Sequence, residues 1–402
     1  MDNLWIATEL FYPEQTSTSF ILTKIANRLS EKYSVKVVCG QPVYDKNVKA
    51  TAHFTLNSKV SVHKINGFAG NKNSLFFRTL RFAFLSLSMF FYLLKNVRKG
   101  EKVLIVTNPA PLVLLVSLLK KIKNIELILL VHDVFPENTV PAGILKPTSL
   151  SYQFIKRIFD KAYSNADKLI VLGRDMQNVI ENKIRKHTKT SKIYIIENWG
   201  DIHGIYPVPK EKNFEKASPF SNKIIFQYAG NMGRVQGLLE LLEIIKDVRN
   251  EKLAFYFVGE GAVKNAMTDY VRTHQLKNVY FDGSYSREDQ LSVLNKTDIA
   301  FVSLAEGMFG LGVPSKAYNI LASGKPILYI GEENSEIDLL IKEKEIGYSF
   351  RHNEKEELIL FFNTFDEKLA EDLERKKKNA RKTAEENFSE EIILNKFYYI
   401  IQ

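Results

Sequence analysis

The sequence predicts an α/β protein built from two Rossmann-like, doubly wound parallel-sheet domains. Three observations point there: the length, an alternation of strand and helix patterns that stops and restarts, and a proline-rich break between the two runs. At 402 residues the chain is too long for one ordinary core and suits two domains of about 200 residues each. Apolar residues make up 45% and charged residues 25%, the balance of a globular chain rather than a disordered one. The break at 201–222, DIHGIYPVPKEKNFEKASPFSN, holds three prolines and no periodic pattern, so it reads as a linker.

In the first half, short apolar runs at 4–8, 35–39, 103–107, 126–131, 168–171 and 193–196 read as strands. Amphipathic patterns at 18–32, 111–123, 152–165 and 174–186 read as the helices between them. Such alternation requires crossover connections and hence a mostly parallel sheet. After the break the pattern restarts, with strands expected at 223–228, 254–258, 279–281, 299–302 and 326–330. The matching helices are expected at 238–250, 261–274, 287–295, 315–322 and 336–342. A long helical tail follows from about residue 365, dense in charge over 371–386 and apolar over 391–401. The apolar end needs a surface, supplied either by its own domain or by the first. The expected domains are therefore 1–205 and 206–385, with 386–402 as a terminal helix that packs on one of them.

Charge is divided unequally. Residues 1–200 carry 29 Lys and Arg against 14 Asp and Glu, a net +15, while the remainder nets −5. A basic half beside an acidic one suggests that the first half meets a polyanion, either a membrane surface or a nucleic acid. No zinc-finger, RNP or helix-turn-helix pattern accompanies it, so the membrane is the expected partner and nucleic acid is not. The single cysteine, Cys39, excludes an internal disulfide framework and a cysteine-based zinc site. The opening MDNLWIATELFYPE has no cationic start, long apolar run or cleavage site, so the expected location is cytoplasmic.

The stretch 73–99, NSLFFRTLRFAFLSLSMFFYLLKNVRK, stands apart. Its uncharged part, 82–94, is short of the ~20 residues needed to span a bilayer, and cations flank it at Arg78, Arg81, Lys95, Arg98 and Lys99. It reads either as a buried core helix or as an interfacial anchor.

Ligands of doubly wound sheets bind beyond the carboxyl ends of the strands. GNMGRVQG (Gly230, Asn231, Gly233, Arg234, Gln236, Gly237) follows one such strand and precedes a helix. Glycines admit a ligand close to the backbone, the helix N-terminus attracts phosphate, and Arg234 adds a charged donor. An ordinary strand–helix turn is the alternative. FVGEGAVKNAM, with Gly259, Glu260 and Gly261, fails a dinucleotide fingerprint because Lys264 holds the third glycine position; it reads equally as a structural turn. In GLGVPSKAYNILASGK, Ser315 is placed to cap a helix and Lys316 sits in its first turn. A cation opposes the helix dipole there and is better used on a phosphate. In LILLVHDVFPEN, His132 and Asp133 end an apolar strand, facing the expected ligand side or simply buried as structure. FYPEQTSTSF brings Thr16, Ser17 and Thr18 to a helix start, where capping by Ser17 or Thr18 and ligand binding explain them equally. No Asp-x-Asp and no metal-spaced cluster occurs, so no metal is expected.

Taken together, FYPEQTSTSF, VHDVFPEN, IIENWGD, YAGNMGRVQGLLELLE, FVGEGAVKNAM, VYFDGSYSREDQLSVLNKTDIAFVSL and VPSKAYNILASGKPIL resemble glycosyltransferase family four in order and spacing along nearly the whole chain. IIENWGD with GNxGxxQGL and VPSK-x3-NILA-x-G is most similar to bacterial transferases that add fucose or N-acetylfucosamine to colanic acid, capsule or O-antigen units. The resemblance implies a GT-B fold whose last helix crosses back to the first domain. It implies a retaining, metal-independent enzyme with a nucleotide-sugar donor, UDP-linked before GDP-linked, held by the second domain. The acceptor, held by the first, is implied to be an undecaprenyl-diphosphate-linked saccharide at the inner face of the cytoplasmic membrane. By position, His132 matches the active-site histidine, with Asp133 beside it. Gly230, Asn231, Gly233, Arg234, Gln236 and Gly237 match the diphosphate loop, with Gly259 and Glu260 in the next loop. Ser315, Lys316 and Asn319 fall in the donor segment.

The chain also departs from the family. Asn231 and Gln236 stand where the family has Arg and Lys, so Arg234 and Lys316 become the candidate cations. The Glu-x7-Glu pair is absent, with Leu311 and Asn319 in its place, which makes Glu306 in AEGMFG a candidate substitute. The residues at 16–19 replace a first-domain glycine pair. A sugar-nucleotide epimerase of the same fold and a non-catalytic polysaccharide-binding scaffold remain as rival functions.

Overall fold

A computed structural model describes residues 1–14, 16–41, 55–66, 75–187, 192–209, 220, 223–366 and 370–402, with side chains of 75–78 and 370 excepted. The chain divides into two compact units. One comprises Met1–Glu197, Gly310–Gly312 and Leu394–Gln402, and the other comprises Asn198–Phe309 and Val313–Ile393.

The first unit holds seven parallel strands: β1 (Asn3–Thr8), β2 (Ser34–Gly40), β3 (Val60–Ile65), β4 (Lys102–Val106), β5 (Glu126–Leu130), β6 (Lys168–Val171) and β7 (Lys192–Ile195). Their order is β3-β2-β1-β4-β5-β6-β7, with Leu4 opposite both Val35 and Lys102. The order reverses between β1 and β4, the switch point at which such sheets open. Its helices are α1 (Ser17–Leu29), α2 (Leu75–Asn96), α3 (Ala110–Lys123), α4 (Leu150–Ser164) and α5 (Arg174–Ile184). The steps β3 to β4, β4 to β5, β5 to β6 and β6 to β7 all run in one direction across the sheet. Right-handed crossovers therefore lay α2, α3, α4 and α5 side by side on one face, and α1 on the other.

The second unit repeats the scheme with β8 (Ile224–Ala229), β9 (Leu253–Val258), β10 (Val279–Asp282), β11 (Ile299–Ser303), β12 (Ile327–Ile330) and β13 (Gly347–Phe350), in the order β10-β9-β8-β11-β12-β13. Its helices are α6 (Leu238–Ile245), α7 (Lys264–Thr273), α8 (Gln290–Asn295), α9 (Lys316–Ala322), α10 (Glu336–Lys344), α11 (Lys355–Thr364), α12 (Ala370–Asn387) and the start of α13 (Glu390–Ile401). Every residue of β9 is buried, as in a strand covered on both faces. Phe226, Phe255 and Phe301 from adjacent strands meet Phe362 of α11 edge-on, with the Phe226 and Phe362 centroids 5.1 Å apart.

Two expectations are revised, and the structure then places the tail. The 201–222 segment is pinned over its described part: the Arg381 guanidinium donates to the carbonyls of Ile202, Ile205 and Ala322, and the Asn295 carboxamide bonds Val208 N and Tyr206 O. Side chains thus satisfy backbone that belongs to no ladder; residues 210–219 and 221–222 lie outside the described residues. The apolar helix is longer than 82–94 and apolar on two faces. Leu85, Met89 and Leu93 are buried, while Phe84, Leu87 and Phe91 are exposed. The expected flanking cation Arg78 lies outside the described side chains. Among the described residues no helix is long and apolar enough to cross a membrane. The apolar end of the tail, Leu394–Gln402, clusters with the first unit. There Tyr33 Oη donates to Ile401 O at 3.2 Å, Lys168 Nζ to Ile400 O at 2.8 Å, and Lys396 pairs with Glu197 at 2.6 Å.

Candidate active site

In the second unit, β8 and β9 end side by side and their loops interlock through the backbone. Gly230 N donates to Val258 O, Met232 N to Glu260 O, and Val263 N to Met232 O. Gly259, at φ +144°, has no room for a side chain, because a Cβ there would lie 2.0 Å from Gly230 O. The glycines after β9 therefore exist to admit the loop after β8. A Gly259→Ala protein is expected to lose about 3 kcal/mol of stability in urea unfolding, from backbone strain and the clash together. Glu260 is exposed and its carboxylate is engaged by Lys264 at 2.6 Å.

Beyond β8 the chain makes a short 3-10 turn, Arg234–Gln236, and enters α6 through Gly237 at φ +62°, with no side chain capping the helix. Gly233 lets the side chains of Gln236 and Asn231 close over it; a Cβ would meet Gln236 Oε1 at 2.5 Å and Asn231 Nδ2 at 2.9 Å. Gln236 Oε1 is buried and makes no hydrogen bond among the described residues. Arg234 is exposed and has no hydrogen-bond or ion-pair partner among the described residues.

Lys316 opens α9. Its ammonium lies 3.5 Å from the centroid of the Tyr228 ring and would be 3.1 Å from a Cβ on Gly230, so it rests directly against the loop. The Nζ atom is shielded from solvent and has no hydrogen-bond partner among the described residues. Burial pulls its pKa down to about 7, with the ring face as the feature favouring the charged form. Ser315 does not cap α9 as expected: its backbone is already helical, at φ −60° and ψ −24°, rather than in the extended conformation of a capping residue, and its side chain makes no cap hydrogen bond. Asn319 is partly committed, because its Oδ1 accepts from Asp201 N at 2.9 Å. This ties the NWGD and NILA segments together and leaves the amide donors of Asn319 and one lone pair of Oδ1. Glu306 is exposed, in a loop held to the 3-10 turn by Ala305 N donating to Val235 O.

The sequence did not single out two residues of this cluster. Tyr228 carries the lysine, and its hydroxyl donates to Asn231 O at 2.6 Å. Ser303, at the carboxyl end of β11, has a buried, unbonded hydroxyl that a Cβ on Gly237 would meet at 3.5 Å. The only signal for Ser303 is a polar residue closing an apolar strand; Tyr228 gives none.

In the first unit, β5 leads into His132 and Asp133. The Thr107 hydroxyl, at the end of β4, accepts from both of their N–H groups at 3.2 Å. Gly312 lies against this turn, and Val134 N donates to Leu311 O. His132 Nε2 is buried without a partner among the described residues, and burial lowers the imidazole pKa to about 4, so the ring is neutral at pH 7. Asp133 keeps an exposed surface, yet the protein around it raises its carboxyl above the usual range. Among the described residues it makes no hydrogen bond to the imidazole. At the other candidate loop, α1 is capped by Thr16, whose Oγ1 accepts from Ser19 N at 3.4 Å, and not by Ser17 or Thr18.

The His132 loop rests on a buried ionic cluster. Lys183 Nζ contacts Glu137 at 2.8 Å and Asp160 at 2.7 Å, Lys156 bridges the same two carboxylates, and the Tyr163 ring lies under Lys183. Tyr163 Oη reaches back to Asp133 O and Phe135 N, both at 3.5 Å. Burial works to raise the Glu137 carboxyl, but Lys183 and Lys156 hold it below its usual range. Lys183→Met would strand two carboxylates on one lysine. The expected loss is about 3 kcal/mol, read from urea unfolding.

With this geometry in hand, comparison with known proteins decides the family. The family described as glycosyl transferases group 1 matches residues 209–383. The chain is also 34% identical over 398 residues to the glycosyltransferase WbjE of Pseudomonas aeruginosa, across 99% of this chain and 97% of that protein. The chain belongs to the group 1 glycosyltransferases. This glycosyltransferase is further 23% identical to WcaI of Escherichia coli strain K12, described as a colanic acid biosynthesis glycosyl transferase, over 77% of its own length and 78% of that protein. Its structure matches Anabaena HepE, solved in complex with UDP, at a TM-score of 0.71 and 14% identity, covering 100% of this chain and 99% of that one. The likeness places the glycosyltransferase in the GT-B fold class.

Proposed function

We propose that this glycosyltransferase moves a sugar, L-fucose, N-acetyl-L-fucosamine or a related deoxy or N-acetyl sugar, from a nucleoside-diphosphate donor to a lipid-linked saccharide. The donor is UDP-linked before GDP-linked, and the acceptor is an undecaprenyl-diphosphate saccharide of O-antigen or capsule assembly at the inner face of the cytoplasmic membrane. The anomeric configuration is retained and no metal ion is needed. The observation that carries the donor half is the Lys316 ammonium, buried and unbonded against the Gly230 backbone and within one loop of the unpaired Arg234. Two cations that pair with no acid among the described residues, beside a glycine turn, suit a diphosphate. The relatives add to this: HepE was solved with UDP, and WcaI is described by colanic acid biosynthesis.

When the bond from the sugar C1 to the diphosphate oxygen breaks, negative charge grows on that oxygen. Lys316, Arg234 and the amides opening α6 stabilise that charge. The acceptor hydroxyl forms the new C1–O bond from the same face, and its proton passes to the departing phosphate. His132, neutral and with Nε2 unpaired, orients a sugar or acceptor hydroxyl; Asp133 holds the turn. Ser17 and Thr18 are the candidate acceptor-side contacts, and Glu306 is the candidate substitute for the absent glutamate. Gln236, Asn231 and the Asn319 amide are candidate donor hydrogen-bonding groups.

Thermal melting with UDP-, GDP-, ADP- and dTDP-sugars, with and without magnesium, tests the proposal. One nucleotide class is expected to raise the Tm, by the same amount whether or not magnesium is present. No shift with any donor would overturn the donor assignment.

A further inference from the structure

Ten of the fourteen exposed large apolar side chains among the described residues fall between residues 80 and 158, all within the first unit. Such concentration is not the scattered exposure normal for a surface. On α2 the exposed row is Phe84, Leu87 and Phe91, at helical spacing, opposite the row that packs on the sheet. On α3 it is Leu118 and Ile122, and on α4 it is Leu150, Phe154 and Ile158, with Leu150 at 84% exposure. α3 packs between α2 and α4, and the common crossover direction puts all three on one face of the sheet, so the rows make one surface.

Its charge is as uneven as its hydrophobicity. The three helices contain a single acid, Asp160, and that carboxylate is held by Lys156 and Lys183. Exposed cations stand in the last turn of all three: Lys95 on α2, Lys121 on α3 and Lys161 on α4. The helices run parallel, so their last turns share the edge of the sheet where the strands begin, and the cations line that edge. An apolar plane rimmed by lysines and free of unpaired acids complements an anionic lipid surface. Flanking lysines reach the headgroups while aromatic and aliphatic side chains enter the acyl boundary. A protein partner with an acidic rim offers no reason for so many aliphatic tips in three separate helices.

We infer that the outer face of α2, α3 and α4 is a docking platform for a bilayer containing anionic phospholipid. It deepens, and rests on, the proposed lipid-borne acceptor by assigning the contact to three helices rather than to the 82–94 segment alone. Arg81 of α2, paired with Glu9 beyond β1 at 2.8 Å, ties the platform to the loop that leads to Thr16.

The test is sedimentation of the full chain with phosphatidylcholine vesicles, with and without phosphatidylglycerol. Wild type is expected to bind the anionic vesicles preferentially and to release as salt rises. Leu150→Ser/Phe154→Ser, distant in sequence from 82–94, is expected to lower partitioning about tenfold or more. Lys121→Glu/Lys161→Glu is expected to lower it about fivefold per lysine. Each variant should keep the nucleotide-induced Tm shift, which shows that it is folded and separates this proposal from the donor assignment. Vesicle binding without any nucleotide shift would sink the donor reading and leave the platform standing. Equal binding to both vesicle types, wild-type binding by the variants, or a solution dimer that the apolar variant splits would overturn the platform.

Discussion

Lys316→Met is expected to slow sugar transfer by about 10²–10³-fold, because on the proposed mechanism it removes a preorganised cation from the departing diphosphate. Methionine nearly preserves the volume over Tyr228, so the protein should melt normally. The pH dependence is a second reading of the same residue. Free, the ammonium has its pKa pulled down to about 7 by burial. A bound diphosphate favours the charged form and raises that pKa. Nucleotide affinity should therefore be flat below pH 7 and fall by up to about tenfold per pH unit above it, as the free enzyme loses the proton that the complex needs. The Met variant should show no such slope. Stability of the ligand-free protein has the opposite sign. Between pH 7 and 10.5 the unfolded lysine holds a proton that the folded one has released, so stability rises with pH through that window relative to the variant. Calorimetric titration of UDP into both proteins across this range would decide it. A slope that survives in Lys316→Met would assign the titration to another group.

His132→Ala is expected to lower the turnover rate by about 10²–10³-fold while leaving nucleotide affinity nearly unchanged, since the residue belongs to the first unit and the proposed phosphate cations to the second. With its pKa lowered to about 4, the imidazole is uncharged across the working range. The rate should therefore show no inflection near pH 6.5 from this residue. An inflection there that the substitution abolished would mean that the histidine works as a titrating base rather than as a neutral hydrogen-bonding group. The stability sign also follows. Below pH 6.5 the unfolded histidine takes a proton before the folded one does, so stability falls as pH drops from 6.5 towards 4, and the alanine variant should lose that dependence.

Strand and helix periodicity carried most of the fold, because strands buried on both faces are apolar runs that polar turns interrupt. Where periodicity is weak the sequence was silent. The edge strand β3, VSVHKI, is exposed over much of its length, and β13 is only four residues entered through Glu345 at φ +50°. α11 was hidden because KEELILFFNT buries Leu358 and Phe362 beneath a mostly polar first turn. At the site, motif spacing found the loops but not their division of labour. Gly259 proves to be a packing glycine, Asn319 a tie to Asp201, and Thr16 the cap. Those roles depend on which backbone lies within 3 Å, and sequence order does not record that. The ionic cluster under His132 joins Glu137, Asp160 and Lys183 from three elements and leaves no local pattern at all.

The return of Leu394–Gln402 to the first unit has a consequence for how the molecule is made. Tyr33 waits for a partner 368 positions further along the chain. A ribosome delivers the first sheet early, yet the covering of its α1 side arrives only after the whole second unit has been synthesised. Domains usually fold as they emerge, amino-terminal first. Here the leading unit must remain incompletely covered, and open to chaperones or to aggregation, until the trailing one is finished. Its final locking is thus a late event in biosynthesis, timed by the length of the unit inserted between its parts.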